Sequence, residues 1–224
     1  MTRLDAKRLV QNAHEADNWL LGCSTPLHYQ TDGQTITITL YSLRNLPSDL
    51  HQWAFNLVKH NLYDQYITAK DTGWSDQDKL AEMSEEHAMY LIAQASDGQL
   101  VGFLYFQFVM EDYCADDNES GEDSSDDKEE EQIPVIYCYE LQLESSFQRN
   151  GLGAHFMRIL EEVGRKYRME KSMLTVFKSN EAAINFYRQL GYDVDGISPS
   201  KHLPPRRAAR ISYEIFSKCL RQDS

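Results

Sequence analysis

An α+β fold built on one mixed central sheet and flanked by helices is what this sequence predicts. Three observations lead there. Two apolar runs, Met89 to Ala95 and Leu100 to Met110, meet around Asp97-Gly98, a dipeptide that favours tight hairpins. A third run, Val135 to Leu143, extends that meander. Beyond Gly151 the spacing turns helical, so antiparallel strands lead into a strand-helix-strand-helix unit, an α+β arrangement.

Each element has its own signal. Ala6 to Leu21 has the apolar spacing of a helix, broken by Pro26. Thr35 to Tyr41 alternates Thr with Ile and Leu, the period of two expected of a half-buried strand. Pro47-Ser48-Asp49 starts a helix in which Leu50, Trp53, Ala54, Leu57 and Val58 recur at helical spacing. Gly73 breaks the pattern, and Ser75 to Met83 reads as a short second helix. After the meander, Gly151 to Tyr167 is helical, Ser172 to Phe177 is a strand, and Asn180 to Leu190 is a helix closed by Gly191. Tyr192 to Val194 and Ile211 to Phe216 read as two closing strands. The organisation expected is a helical segment over 1–30, one domain over 31–218 and a tail over 219–224.

Composition narrows the class. The chain has 224 residues, 42% hydrophobic and 25% charged, which sets aside collagen-like, coiled-coil and wholly disordered chains. The longest apolar run, Leu100 to Met110, falls short of the ~20 residues a membrane span needs. Met1 to Val10 mixes charged and apolar residues, unlike a signal peptide, so a soluble intracellular protein is expected. Net charge is −13, but Glu111 to Gln132 alone holds 12 acids and one base, Lys128. The body is therefore nearly neutral, and 112–132 is expected to be a disordered acidic insertion in the hairpin connection. Nothing in the sequence would neutralise nucleic-acid phosphates, whereas a basic partner suits the tract. Cys23, Cys114, Cys138 and Cys219 include no C-x-x-C pair and the histidines do not cluster, so reduced thiols and no metal site are expected.

Two motifs carry chemistry. Gln148 to Gly153 spells Q-x-x-G-x-G after a strand and at a helix start. Without Cβ atoms, Gly151 and Gly153 let a ligand approach the backbone, and the amides of Arg149 to Ala154 converge where the helix dipole favours an anion. One strand later Asn180, Ala183, Tyr187, Gly191 and Tyr192 form N-x-x-A-x-x-x-Y-x-x-x-G-Y, with Ala183 and Tyr187 on one helix face. Alone, the second motif equally describes an amphipathic helix with a glycine cap. Both in this order are harder to obtain by chance.

With these motifs the sequence resembles the GNAT superfamily of acetyl-CoA-dependent N-acetyltransferases, from about Thr35 to Phe216. The resemblance implies the GNAT acyl-CoA N-acyltransferase fold and acetyl-CoA as co-substrate. The cofactor would be held by Leu141, Gln142 and Leu143, by Gln148, Arg149, Asn150, Gly151, Leu152, Gly153 and Ala154, and by Asn180. Further blocks, among them Y-C-Y-E-L-Q-L-E from Tyr137 and L-T-V-F-K-S-N from Leu174, resemble the NatD family. Its members acetylate the α-amine of histones that begin Ser-Gly-Arg-Gly, namely histones four and two-A.

That resemblance gives Glu140 the role of general base, which suits an α-amine whose pKa near ~8 leaves much of it protonated. Alternation sets Tyr139 on the opposite face of the strand. Without the family, a solvent-facing strand glutamate is the commoner fate of such a residue. A backbone amide near Leu141 is the natural oxyanion partner, and Tyr187 matches the family's proton donor to the departing thiolate. Tyr66, Tyr137, Tyr139, Thr175, Ser198 and Tyr213 would enclose the substrate, with Glu111 meeting its arginine. Three positions depart from the relatives: Val109 replaces an aspartate, Thr72 a tryptophan and Ile197 a serine. The resemblance implies a histone N-terminal tail as substrate and a monomer in cytoplasm and nucleus; whether it acts at the ribosome or in the nucleus stays open, and no membrane or direct nucleic-acid contact is expected. Two other functions stay open: a lysine or small-amine acetyltransferase, and a non-catalytic histone-binding module.

Overall fold

The computed structural model describes residues 2–31, 33–113 and 131–221. Cys114 and most of the expected acidic insertion lie outside these residues. Eight strands form one mixed sheet in the order β1-β2-β3-β4-β5-β6-β8-β7, where β1 is His28–Thr31, β2 Gln34–Ser42, β3 Met89–Ala95, β4 Leu100–Asp112, β5 Gln132–Leu143, β6 Lys171–Phe177, β7 Asp193–Val194 and β8 Tyr213–Cys219. The helices are α1 Arg3–His14, α2 Ser48–Thr68, α3 Asp76–Met83, α4 Leu152–Lys166, α5 Glu181–Gln189, and two single turns, α6 Pro199–His202 and α7 Pro205–Ala208. The chain divides into two compact units, each built from separated stretches.

One unit comprises Asp17–Gln107 and Tyr137–Val163. Its β2 shows the alternation read from the sequence: Ile36 and Ile38 are buried while Thr37 and Thr39 face outward. The β3–β4 hairpin turns at Gly98, whose φ of 90° lies in the left-handed region that glycine tolerates. α2 buries Ala54, Phe55, Leu57 and Val58 against Tyr90, Ile92, Phe103 and Tyr105 of the sheet. Ser75 caps α3 by accepting from the Asp78 amide at 3.2 Å. On β4, a Cβ at Gly102 would stand 2.3 Å from Leu143 Cδ2 and 2.6 Å from the Gln142 carbonyl, so glycine is what lets β5 pass this close.

The other unit comprises Met1–Ala16, Phe108–Ile136 and Gly164–Ser224. α1 opens with a capping box between Thr2 and Asp5 and buries Ala6, Val10 and Ala13. It ends at His14, not at Leu21, with the His14 ring nitrogen 2.8 Å from the Phe108 carbonyl. β6 and β8 pair antiparallel from Lys171↔Cys219 to Phe177↔Tyr213. Three sequence expectations shift here. β7 holds only Asp193 and Val194, Tyr192 turning inward to donate to Ser172 at 2.7 Å. β8 starts at Tyr213, because the turn from α7 occupies Arg210 and Ile211. α6 and α7 were not expected, although each opens with proline in its first turn, a preference the sequence displays.

Candidate active site

In the unit that holds Asp17–Gln107, the carboxylate of Glu140 is only 4% exposed. Its Oε1 accepts from Lys79 Nζ at 3.1 Å and its Oε2 from Gln142 Nε2 at 2.9 Å. Lys79, 8% exposed, gives its ammonium also to Glu82, at 2.8 and 3.0 Å. Gln142 is held in turn by Asn61, whose Nδ2 donates to its Oε1 at 3.0 Å. The Lys79 ammonium lies 5.2 Å from the ring centroid of Tyr66, within cation–π range. Burial raises the pKa of Glu140; the Lys79 ammonium and the Gln142 amide work against that rise, and Glu82 adds to it. Burial and the nearby Glu140 likewise raise Tyr66. The solvent-facing fate is therefore excluded for Glu140.

Tyr139 stacks on Tyr105 at 5.0 Å, which stacks on Tyr90 at 5.1 Å, and Tyr137 leans on Tyr139 at 5.0 Å. Tyr105 donates to the Glu82 carbonyl at 2.8 Å and Tyr90 to that of Met83, which ties the aromatic row to the end of α3. A cleft of about 470 Å³ opens above it, lined by Asp78, Ala81, Glu82, Glu85, Gln107 and Tyr139. Along β5 Tyr137 meets Tyr139, and Glu140 meets Gln142, contacts two residues apart that follow the alternation of a strand. α3 reaches the Glu140 carboxylate through the Lys79 ammonium.

The segment after β5 forms the predicted loop. Gln148 Nε2 donates to the Leu143 carbonyl at 3.1 Å, and the same carbonyl accepts from Asn61 at 3.2 Å. Arg149 has φ of 61° and Gly151 φ of 90°, so the chain turns twice through the left-handed region. The first bond of α4 runs from His155 N to Gly151 O, and the Leu152 amide is taken by Asn150 Oδ1 at 3.2 Å. That leaves the Gly153 and Ala154 amides at the helix start without a helical acceptor, as an anion cradle requires. These residues fit a pyrophosphate. The space a Cβ would take at Gly151 is filled by the chain's own Tyr29, whose Oη would be 2.5 Å away. Tyr29 donates to the Asn150 carbonyl at 2.6 Å and packs on His155, whose ring nitrogen lies 2.7 Å from the Pro26 carbonyl.

The remaining predicted residues belong to the other unit. Asn180 caps α5, its Oδ1 accepting from the Ala183 amide at 3.1 Å. Tyr187 is buried between Phe186 and Tyr192. Thr175 lies opposite Ile215, and Tyr213 opposite Phe177. Ser198 is fully buried, donating to Glu214 at 2.5 Å and accepting from the Ile215 amide at 2.8 Å. Burial, Asp112 and Asp195 raise the pKa of Glu111. Among the described residues no group of three or more His, Cys, Asp and Glu could hold a metal ion. Sequence reasoning missed Lys79, Glu82, Asn61 and Tyr29. The first two lie within the short helix read over Ser75 to Met83, and nothing local marks any of the four.

Comparison with known proteins agrees with this geometry. A family model described as acetyltransferase (GNAT) family matches residues 52–192. Among solved structures, a GNAT-family acetyltransferase from Staphylococcus aureus Mu50 superposes with a TM-score of 0.54 at 10% identity, over 83% of this chain and 100% of that one. A putative GNAT-family acetyltransferase from Desulfovibrio desulfuricans gives 0.51 at 9% identity, over 83% and 100%. The PaiA N-acetyltransferase of Thermoplasma acidophilum, solved in complex with coenzyme A, gives 0.50 at 15% identity, over 82% and 98%.

Proposed function

Because the chain belongs to the acetyltransferase (GNAT) family, we propose that it acetylates the α-amine of proteins that begin with serine, above all histones starting Ser-Gly-Arg-Gly. Acetyl-CoA is the acetyl donor of the family and, once bound, supplies the acetyl group as a reactive thioester. The loop from Gln148 to Ala154 would hold its pyrophosphate, with Leu141 to Leu143 along its arm. Glu140 then takes the proton from the substrate ammonium, directly or through one water, so that the free amine can attack. Tyr137 and Tyr139 wall the approach to that carboxylate.

The observation that carries the reading is Glu140 itself, a buried, fully hydrogen-bonded carboxylate beside a tyrosine row and an acidic cleft. Burial brings the affinity of a carboxylate for protons closer to that of an amine, which a base at neutral pH needs. Asp78, Glu82 and Glu85 favour a cationic peptide such as a histone tail, and the Y-C-Y-E-L-Q-L-E block supports the α-amine of that tail as acceptor. In this proposal the chain meets its histone as a monomer, in cytoplasm and nucleus.

The experiment is mass spectrometry of a Ser-Gly-Arg-Gly-Lys peptide incubated with acetyl-CoA and the protein, beside the same peptide blocked at its α-amine and one lacking the arginine. One acetyl group on the α-amine alone, absent from both controls, is expected. Acetylation of the blocked peptide would move the activity to lysine. Glu140→Gln should lower kcat by about 10²- to 10⁴-fold while leaving acetyl-CoA bound, and full activity in that variant would remove Glu140 from the chemistry.

A further inference from the structure

Lys79 is the most buried cation of its unit and the only one that touches Glu140 among the described residues. Its ammonium is shared between two carboxylates, Glu82 at 2.8 Å and Glu140 at 3.1 Å, on separate elements. Gln142 grips the second oxygen of Glu140, and Asn61 fixes which way the Gln142 amide points by donating to its carbonyl oxygen. Both oxygens of the base are thus held by donors of the chain. Without the ammonium, two neighbouring carboxylates would face each other, one of them almost wholly removed from water. A carboxyl in that position takes up a proton and then cannot accept one from an amine.

We propose that Lys79 is a positioning residue for Glu140: tethered by Glu82, its ammonium keeps Glu140 a carboxylate and aims it at the incoming amine. This rests on the reading of Glu140 as general base. The titratable groups that face Glu140 within its unit are Lys79 and Glu82 of α3, Tyr66 of α2, Tyr90 of β3 and Cys138 of β5. Burial and the Glu140 charge raise the pKa values of Tyr66, Tyr90 and Cys138, so these three stay neutral at pH 7. Lys79 is held well above the ordinary lysine range by the two carboxylates despite its burial. It stays protonated throughout and is no acetyl acceptor. The charge on Glu140 is therefore set by one cation that attracts it and one anion, Glu82, that opposes it.

Opposite variants should move it in opposite directions. Two readouts serve: the acid limb of kcat/KM against pH for acetyl transfer to the serine peptide, and the ¹³C-carboxyl NMR titration of Glu140, assigned by its loss in Glu140→Gln. Lys79→Met should raise both midpoints by about one pH unit or more, which lowers kcat/KM by about tenfold at pH values below the parent midpoint. Lys79→Arg should return the midpoint to within about half a unit of the parent value. Glu82→Gln, which removes the opposing charge, should lower it. A Lys79→Met midpoint equal to the parent's, in a protein with native circular dichroism, would overturn the proposal. If Lys79→Met does not fold, an unmoved or raised midpoint in Glu82→Gln overturns it. If Glu140→Gln keeps full activity, the general-base reading falls instead, and the NMR midpoints still decide whether Lys79 controls the charge on Glu140.

Discussion

Glu162→Gln tests whether the segment before β1 is fastened to α4 by a single charge. The Glu162 carboxylate accepts four hydrogen bonds: from Ser24 N at 2.7 Å, Ser24 Oγ at 2.8 Å, Thr25 N at 3.1 Å and Thr25 Oγ1 at 2.6 Å. Partial burial works against ionisation, but these four donors overcome it and pull the pKa from 4.5 to about 2. At about 1.36 kcal/mol per pH unit that displacement sets a ceiling of about 3.4 kcal/mol. The carboxylate is partly exposed, and solvent screening reduces the expected contribution to about 1–2 kcal/mol. The sign follows from the lowered value: the stabilisation is complete above pH 4.5 and disappears as pH falls towards 2. Urea unfolding followed by tryptophan fluorescence should show Glu162→Gln less stable than the parent by that amount at pH 7, with the gap narrowing below pH 4.5. A gap of equal size at pH 7 and pH 3, or none at pH 7, would refute the reasoning.

Three further outcomes are expected. Tyr29→Phe removes the hydroxyl that donates to the Asn150 carbonyl at 2.6 Å, so the acetyl-CoA KM in steady-state kinetics should rise about fivefold; an unchanged KM would detach Tyr29 from the loop. Gly102→Ala places a methyl 2.6 Å from the Gln142 carbonyl and should cost about 1–3 kcal/mol, read as a lowered Tm. A wild-type Tm would show that β5 moves aside freely. Asp195→Asn leaves Lys171 without its 2.7 Å partner and should destabilise by about 3 kcal/mol in urea. Burial alone would raise the pKa of Asp195, but Lys171, Ser217 and the Ile197 amide lower it, so this contribution too should fade on acidification.

Much of the scaffold was legible because its signals are local. The Asp97-Gly98 turn, the Thr/Ile alternation of β2, the serine cap of α3 and the asparagine cap of α5 each show themselves within four residues. β1 was missed because it is a four-residue edge strand whose exposure alternates without one deeply buried side chain. α1 was drawn seven residues too long because the spacing continues past His14, while the tertiary bond to Phe108 and the turn at Asn18 end it earlier. In the candidate site the loop and the Glu140 strand could be read as motifs. Lys79 could not, because a lysine in Asp76–Met83 looks like any solvated helix residue until β5 brings a carboxylate to it. The place of Tyr29 beside Gly151 was hidden for the same reason, since Tyr29 arrives from 122 residues away in sequence.

The interleaving of the two units sets an order of events during synthesis. α1 leaves the ribosome well before the stretches Phe108–Ile136 and Gly164–Ser224 that complete its unit. At about 5–20 residues per second, the roughly 150 residues between Ala16 and Gly164 take about 7–30 s to make. A helix of 12 residues is marginal alone in water, so Ala6, Val10 and Ala13 wait that long for a surface to cover them. The other unit is complete once Val163 has emerged. The nascent chain can therefore assemble its Glu140 network while α1 is still unfolded, and α1 finishes folding only with the later stretches of its own unit.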